Sequence, residues 1–344
     1  MEKMNSAEIA RLAGVSRSTV SRVVNGYRNV PSHTKEKVMR VINDNGYYPL
    51  LSGQLLAGKR TGTLGFFWVS NTAIANDMLG SEYFARVTES AAELGYLVLT
   101  CIVKNLTEKE NVEWIKRVFM QGRVDAGIFI GTKNNDPLIE ELLSKGNIIG
   151  IFDHFHPDKN EPNRISVNYE IDTGVKIIDY LYNLGHRKIG IIDGDMSRYC
   201  MLKRHEGFLT GMQQHDIEMR GEWMYYADIF NDQDAGYSAT KRLLRSSELP
   251  TAICAGNDTI AFGVYRALDE QGISIPEQIS VIGIDGHGRG ELTSPPLTTY
   301  GYDYKKMFFS LVKRTIAAAT QKSDYQTTEF ISGNLVERGS CKSV

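Results

Sequence analysis

The sequence predicts a two-part α/β protein. A head of three short helices and a hinge lead into a body of two lobes, each a doubly wound parallel sheet with helices on both faces. Three observations predict this. Three helical patterns can be read before residue 46. From Thr63 onward, short β-rich apolar runs alternate with longer amphipathic stretches, the pattern of a parallel sheet covered on both sides. The alternation runs through two successive series, so two similar lobes are expected. A chain of 344 residues is too long for one compact core and suits that division.

The head comes first. In "AEIARLA", Ile9, Leu12 and Ala13 follow i, i+3, i+4 spacing, with Ser6 as the expected N-cap and Gly14 as the break. In "VSRSTVSRVVNG", Ser16 caps the second helix and Val20, Val23 and Val24 form an inward stripe. The other face gathers Arg17, Ser18, Ser21, Arg22 and Asn25. A third helix starts at Ser32, buries Val38, Val41 and Ile42, and stops at Asn45-Gly46. A helix, a glycine-containing turn and a polar second helix make a helix-turn-helix. One face of the second helix rests on a small core. The other offers donors and acceptors to base edges in a major groove, where arginine suits guanine and serine or asparagine read more permissively. The candidate DNA contacts are Ser16, Arg17, Ser18, Thr19, Ser21, Arg22 and Asn25, with Arg17 and Ser18 best placed to set specificity.

Charge agrees with a polyanionic partner. Residues 1–60 hold ten Lys or Arg against four Asp or Glu, while the whole chain carries −2. A basic head therefore sits on an acidic body. Hydrophobic residues at 42% and charged residues at 23% are ordinary for a soluble globular protein. No apolar run approaches the roughly 20 residues that span a bilayer, and "MEKMNSAEIARL" has no secretory pattern. Cys101, Cys200, Cys254 and Cys341 are scattered, without CxxC spacing, which fits a reducing cytoplasm.

The next segment, "YYPLLSGQLLAGKRTG", is marginal as a helix because of its two central glycines. It reads either as a flexible linker or as a helix that folds on DNA, where a leucine could wedge into the minor groove.

In the body, strands are expected at 63–69, 96–103, 125–131 and 148–153, then at 188–193, 251–256 and 279–285. In "EYFARVTESAAELG", Phe84, Val87, Ala91 and Leu94 line one side of a helix. Ligands of open α/β sheets bind beyond the carboxyl ends of the strands. Asp153, Asn257-Asp258 and Asp285 stand at such ends, and Arg204 lies early in a helix. Carboxylates, an amide and an arginine around one cleft suit a polyhydroxylated ligand. Trp68, Tyr83 and Phe84 could stack on a sugar or base face. For each residue alone, a helix cap or loop hydrogen bond is an equal alternative.

With both halves read, the chain resembles the LacI/GalR family of bacterial transcription regulators over almost its full length. The resemblance rests on "IARLAGVSRSTVSRVVNG", "TKEKV", "GYYP" and "LAGKRTG", followed by "LGHRKIGIIDG", "RHEGF", "AGNDTIAFG", "GISIPEQISVIGID", "PPLTT" and "LVERGS". It implies a homodimer on near-palindromic double-stranded operator DNA. Arg17, Ser18 and Arg22 would be recognition residues, and Leu56 of a hinge helix would enter the minor groove. It implies a periplasmic-binding-protein-like body with Arg204, Asn257 and Asp285 on the effector and Asp153 near it. The implied division is 1–48 for DNA binding, 49–61 for the hinge and 62–344 for effector binding and dimerisation. Lobe one would hold about 62–161 and 291–323, and lobe two about 162–290 and 324–344. The sequence departs from the family pattern at Leu50 and Gly53 in the hinge, at Asn168-Tyr169, at "SEYF" and at Tyr302. The last three surround the expected cleft, where Tyr302 joins the candidate effector residues. The chain stops after "LVERGS" without a leucine-heptad tail, so a dimer is expected.

Other functions are less well supported. "IGIDGHGRGE" lacks dinucleotide-binding spacing, and no Walker or G-x-S-x-G motif is present, so no enzyme and no cofactor are expected. "FDHFHPD", with His154 and His156, could hold zinc, but a loop after a strand explains it as well. Carboxylate-rich strand ends favour a sugar effector. The alternatives are a purine or a protein corepressor.

Overall fold

The computed structural model describes residues 4–48, 55, 59–70, 73–75, 77–155, 161–226, 233–321 and 325–344. Two compact units separate at Met1–Thr63 and Leu64–Val344.

The first unit contains helices α1 (Ser6–Ala13), α2 (Arg17–Val24) and α3 (Ser32–Asp44). Asn5, not Ser6, caps α1. Its Oδ1 accepts from the amides of Ala7 (2.9 Å) and Glu8 (3.1 Å), and Glu8 returns an acceptor to the Asn5 amide. Ser6 is one residue inside the helix, and its hydroxyl accepts from Arg17 Nε at 2.8 Å. Gly14 takes φ 60°, the left-handed conformation that ends α1 and turns the chain into α2. Ile9, Ala10, Ala13, Val20, Val23, Val38 and Ile42 form the core. Val24 and Val41 pack at its margin, and Leu12, expected inside, is 44% exposed.

The second unit carries two six-stranded sheets. The first holds β1 (Thr63–Val69), β2 (Leu97–Val103), β3 (Ala126–Ile130), β4 (Ile149–Phe152), β5 (Arg164–Tyr169) and β11 (Thr328–Ile331), in the order β11-β5-β4-β3-β1-β2. β1 shows why apolar runs rather than alternation marked these strands. Leu64, Phe66 and Trp68 pack on one face against α4 (Gly80–Glu93) and α11 (Tyr304–Ala319). Phe67 and Val69 pack on the other against α5 (Lys109–Met120) and α6 (Pro137–Ser144).

The second sheet holds β6 (Ile189–Asp193), β7 (Met224–Tyr226), β8 (Ala252–Ala255), β9 (Ser280–Asp285), β10 (Thr298–Gly301) and β12 (Asn334–Val336), in the order β12-β10-β9-β8-β6-β7. Only the β12 pairing with β10 is antiparallel among the pairings described in this sheet. Helices α7 (Thr173–Asn183) and α8 (Tyr199–Gln214) cover one face, and α9 (Gln233–Leu243) and α10 (Asp258–Glu270) the other.

The lobe limits differ from expectation. β5 and β11, assigned to lobe two, pair in the first sheet, and β10, assigned to lobe one, pairs in the second. Ladder bonds decide membership. Ser166 sits between Ile151 and Thr328, and Gly301 sits beside Asp285. The chain therefore crosses between lobes near residues 170, 302 and 332.

One side chain ties these crossings. Glu170 Oε1 accepts from Tyr300 OH at 2.5 Å and from the Gly333 amide at 2.9 Å, while Oε2 pairs with Lys176 Nζ at 2.6 Å. Thr173 and Tyr302 share a hydroxyl hydrogen bond beside it. Gly333 has to be glycine, because a Cβ would stand 2.5 Å from the Gly301 carbonyl and 2.6 Å from the Tyr300 ring. No helix among the described residues is long and apolar enough to cross a membrane.

Helices α7 and α8 meet at backbone contact distance. A Cβ on Gly174 would stand 2.3 Å from the Arg204 carbonyl and 2.6 Å from the Phe208 nitrogen, both backbone atoms that cannot rotate away. Gly174→Ala should cost about 1–3 kcal/mol, read as a lower thermal midpoint. Gly221→Ala, where nothing lies within 4 Å, should stay within about 0.5 kcal/mol of the parent. Equal midpoints for the two variants would refute the close packing.

Candidate functional site

The polar face of α2 is built by its own buried side. Val20 and Val23 turn inward, which leaves Arg17, Ser18, Ser21 and Arg22 exposed. Ser16 and Thr19 act at the helix start. Ser16 Oγ accepts from the Thr19 amide at 3.1 Å and lies 2.8 Å from Ser18 Oγ and 2.9 Å from Thr19 Oγ1. Arg17 leans on Ser6, whereas Arg22 projects from the exposed face. Asn25 closes the helix, donating from Nδ2 to Ser21 Oγ at 3.3 Å. Leu56 and most of the expected hinge lie outside the described residues.

In the body, the carboxyl ends of the strands face a cleft. Trp68, Tyr83, Phe152, Asp153 and Tyr169 line a pocket of about 30 Å³ with Asp77, Arg198 and Cys200. That volume holds about two waters, so a ring-sized ligand requires the lobes to part. Asp153 adopts φ 61°, a left-handed conformation unusual for a side-chain-bearing residue and typical of functional positions. Burial pushes its carboxyl above the ordinary range, opposed by hydrogen bonding from Cys200 and by the charges of Arg204 and Arg198.

Arg204 and Asp285 meet beside the pocket. Arg204 Nη1 donates to the Gly256 carbonyl at 2.6 Å, and Nη2 lies 3.5 Å from Asp285 Oδ1. The guanidinium also stands 4.8 Å from the centre of the Tyr169 ring. Asp285, with φ 123°, accepts from Tyr304 OH at 3.1 Å. A run of phenols continues from there, with Tyr304 to Tyr169 at 3.5 Å and Tyr169 to Tyr83 at 3.1 Å. Tyr302 meets Tyr169 edge-on at 4.6 Å.

One expected residue does not join, and a second has its oxygen committed to a helix cap. Phe84 follows Tyr83 by one helical step, so it points away and packs edge-on against Phe66 at 5.3 Å. Asn257 caps α10, accepting from the Ile260 amide at 2.8 Å, which realises the helix-cap alternative. Several residues that do join were missed, namely Asp77, Asp193, Arg198, Cys200 and Tyr304, whereas Tyr169 was read as bordering the cleft without a role. Asp193 carried a usable signal, since it ends "KIGIID" as Asp285 ends "ISVIGID".

The cleft region is rich in polar atoms without a hydrogen-bond partner in the described structure. They are Trp68 Nε1, Asp153 Oδ1, Tyr199 OH and Arg204 Nε, all buried, while Asp193 Oδ2 and His205 Nδ1 lie 3.5 Å from each other. Burying such groups unmatched costs roughly 1–3 kcal/mol each, so water or a ligand is the expected partner there. Of the zinc candidate, Asp153 and His154 are described and His156 and Asp158 are not. Among the described residues, no group of three or more His, Cys, Asp or Glu is placed to hold a metal.

Comparisons with known proteins agree with this geometry. Residues 7–49 match the family described as "Bacterial regulatory proteins, lacI family", and residues 178–341 match a "Periplasmic binding protein-like domain". A protein named HTH-type transcriptional repressor PurR from Actinobacillus pleuropneumoniae is 32% identical over 85% of this chain and 84% of its own. One of the same name from Yersinia enterocolitica is 30% identical over 97% and 95%. Among solved structures, a Lac repressor dimer bound to operator and the anti-inducer ONPF superposes with a TM-score of 0.81. It is 24% identical, with 99% and 100% of the two chains covered.

Two buried carboxyls make a pH dependence measurable. Burial, then the nearby Asp285 charge, lifts Asp258 to about 8, and burial lifts Asp285 to about 6. Both values lie above the ordinary 3.8, so the folded state holds protons that the unfolded chain has released. Stability therefore falls as pH rises towards 8. Between pH 6.5 and 8.5 the urea midpoint of the parent should drop while that of Asp258→Asn should hold steadier. Parallel curves for the two proteins would refute the assignment.

Proposed function

Because the chain belongs to the LacI family of bacterial regulatory proteins, we propose that it is a transcriptional repressor that reads operator DNA with its head and a small effector with its body. One pairing of features carries the reading. The same chain holds an exposed Arg/Ser face on α2 and a cleft whose buried polar atoms await partners. A homodimer would set two heads on the half-sites of a near-palindromic operator in the cytoplasm. The effector would change operator affinity by binding one arrangement of the lobes better than another.

A flat purine ring is the effector best supported. Trp68, Tyr83, Phe152 and Tyr169 give the pocket aromatic walls suited to a flat ring, and the curated relatives carry the name PurR. The second reading is a sugar, favoured by the buried acceptors of Asp153, Asp193 and Asp285. Phosphorylated ligands fit poorly. Asp77, Asp153, Asp193 and Asp285 outnumber the cations Arg198 and Arg204.

Two measurements test the proposal. An operator selected from random duplexes should lose about ten- to a hundredfold in affinity on Arg22→Ala, the equivalent of about 1–3 kcal/mol for one base contact. Unchanged affinity would remove Arg22 from recognition. A thermal-shift panel of purine bases, nucleosides, mono- and disaccharides and sugar phosphates should show stabilisation by the purines. A ligand at 100 times its Kd adds roughly 2.7 kcal/mol. A shift with sugars alone would overturn the purine reading in favour of the second.

A further inference from the structure

A contact across the cleft lies next to the aromatic pocket, at the turn that carries Asp77. Asp77 Oδ1 accepts from the amides of Leu79 (3.0 Å) and Gly80 (2.8 Å), which fixes the turn leading into α4. In that turn the Met78 carbonyl accepts from His287 Nε2 at 3.2 Å. Met78 belongs to lobe one and His287 follows β9 in lobe two. The Met78 side chain crosses too, packing on the lobe-two cluster that contains Ile260, Ala261 and Phe262.

The lobe-two half of this contact is set in advance. His287 Nδ1 accepts from the Arg289 amide at 3.1 Å, so in the neutral ring the hydrogen sits on Nε2, the atom facing Met78. The His287 amide donates to Asp258 Oδ2 at 2.7 Å, and Asp258 Oδ1 accepts from Thr299 Oγ1 at 2.7 Å. Tautomer and backbone position are thus both held by lobe two itself. Lobe one brings a carbonyl in a capped turn and an apolar side chain.

We propose that Met78 and His287 form a latch that holds the lobes together independently of the effector. The latch sets how much of the protein is closed before any ligand binds, and hence how far an effector can move the balance. It builds on the two-lobed cleft and needs neither the DNA-binding reading nor a particular ligand, so loss of operator binding would leave it standing.

Hydrogen–deuterium exchange on the full-length protein tests it without a ligand. In His287→Ala and Met78→Ser, segments 126–131 and 149–155, which contain neither residue, should exchange several-fold faster as the cleft opens. His287→Gln, which keeps a side-chain N–H donor, should restore much of the protection. Changes confined to peptides that contain the substituted residue would overturn the latch. If His287→Ala loses protection throughout the body, Met78→Ser decides, because it leaves the imidazole and its Asp258 anchor in place.

Discussion

Glu170 is where three separate passes of the chain meet, and the body depends on that meeting. Its carboxylate is nearly buried and takes hydrogen bonds from a phenol, a backbone amide and an ammonium, each from a different stretch of sequence. Removing one partner of such a group leaves a costly unpaired charge. Tyr302 and Tyr304 lie two and four residues beyond Tyr300, so the tie at Tyr300 also helps deliver both phenols to the cleft. Gly333, unable to carry a Cβ, lets the third pass lie flat against the second.

The chemistry of the cleft follows from what these passes bury. Asp153, Asp258 and Asp285 lose water at strand ends, and each is pushed towards its neutral form. Arg204 opposes this at Asp153 and Asp285, yet keeps Nε unpartnered while its face rests on Tyr169. The result is a guanidinium held in place by the fold but not fully satisfied by it. A ligand that completes its hydrogen bonds would complete those of its neighbours as well, which makes the group a strong discriminator between lobe arrangements.

Much of this was legible from residues alone. β1 was expected at 63–69 and lies at Thr63–Val69, and the other six expected strands were placed within a residue or so of their ends. Their apolar runs announce them, even at the edge strand β2, where Leu97 and Ile102 are exposed. Of the five strands not expected, β7 reads "MYY" and is too short to show a pattern, while β5, β10, β11 and β12 read "RISVNY", "TTYG", "TEFI" and "NLV", short or polar enough to pass for loops, and lie next to the crossings. The site divides the same way. Asp285 stood out through its strand-end position and Arg204 through its place early in a helix, whereas Tyr169, Tyr304 and Glu170 take part through partners distant in sequence, such as Tyr304 for Tyr169 and Tyr300 for Glu170. Phe84 was plausible by residue type and was lost to helix geometry, which turns it onto Phe66.

The interleaving of the two sheets has a consequence for how the molecule is made. β11 and β12 are the last strands to be synthesised, yet one finishes the first sheet and the other the second. Neither lobe can therefore be completed on the ribosome ahead of the other, although most of lobe one emerges first. The nascent body must wait with two open sheet edges until residues 328–336 arrive. A chain broken off before residue 328 would leave two lobes short of a strand rather than one.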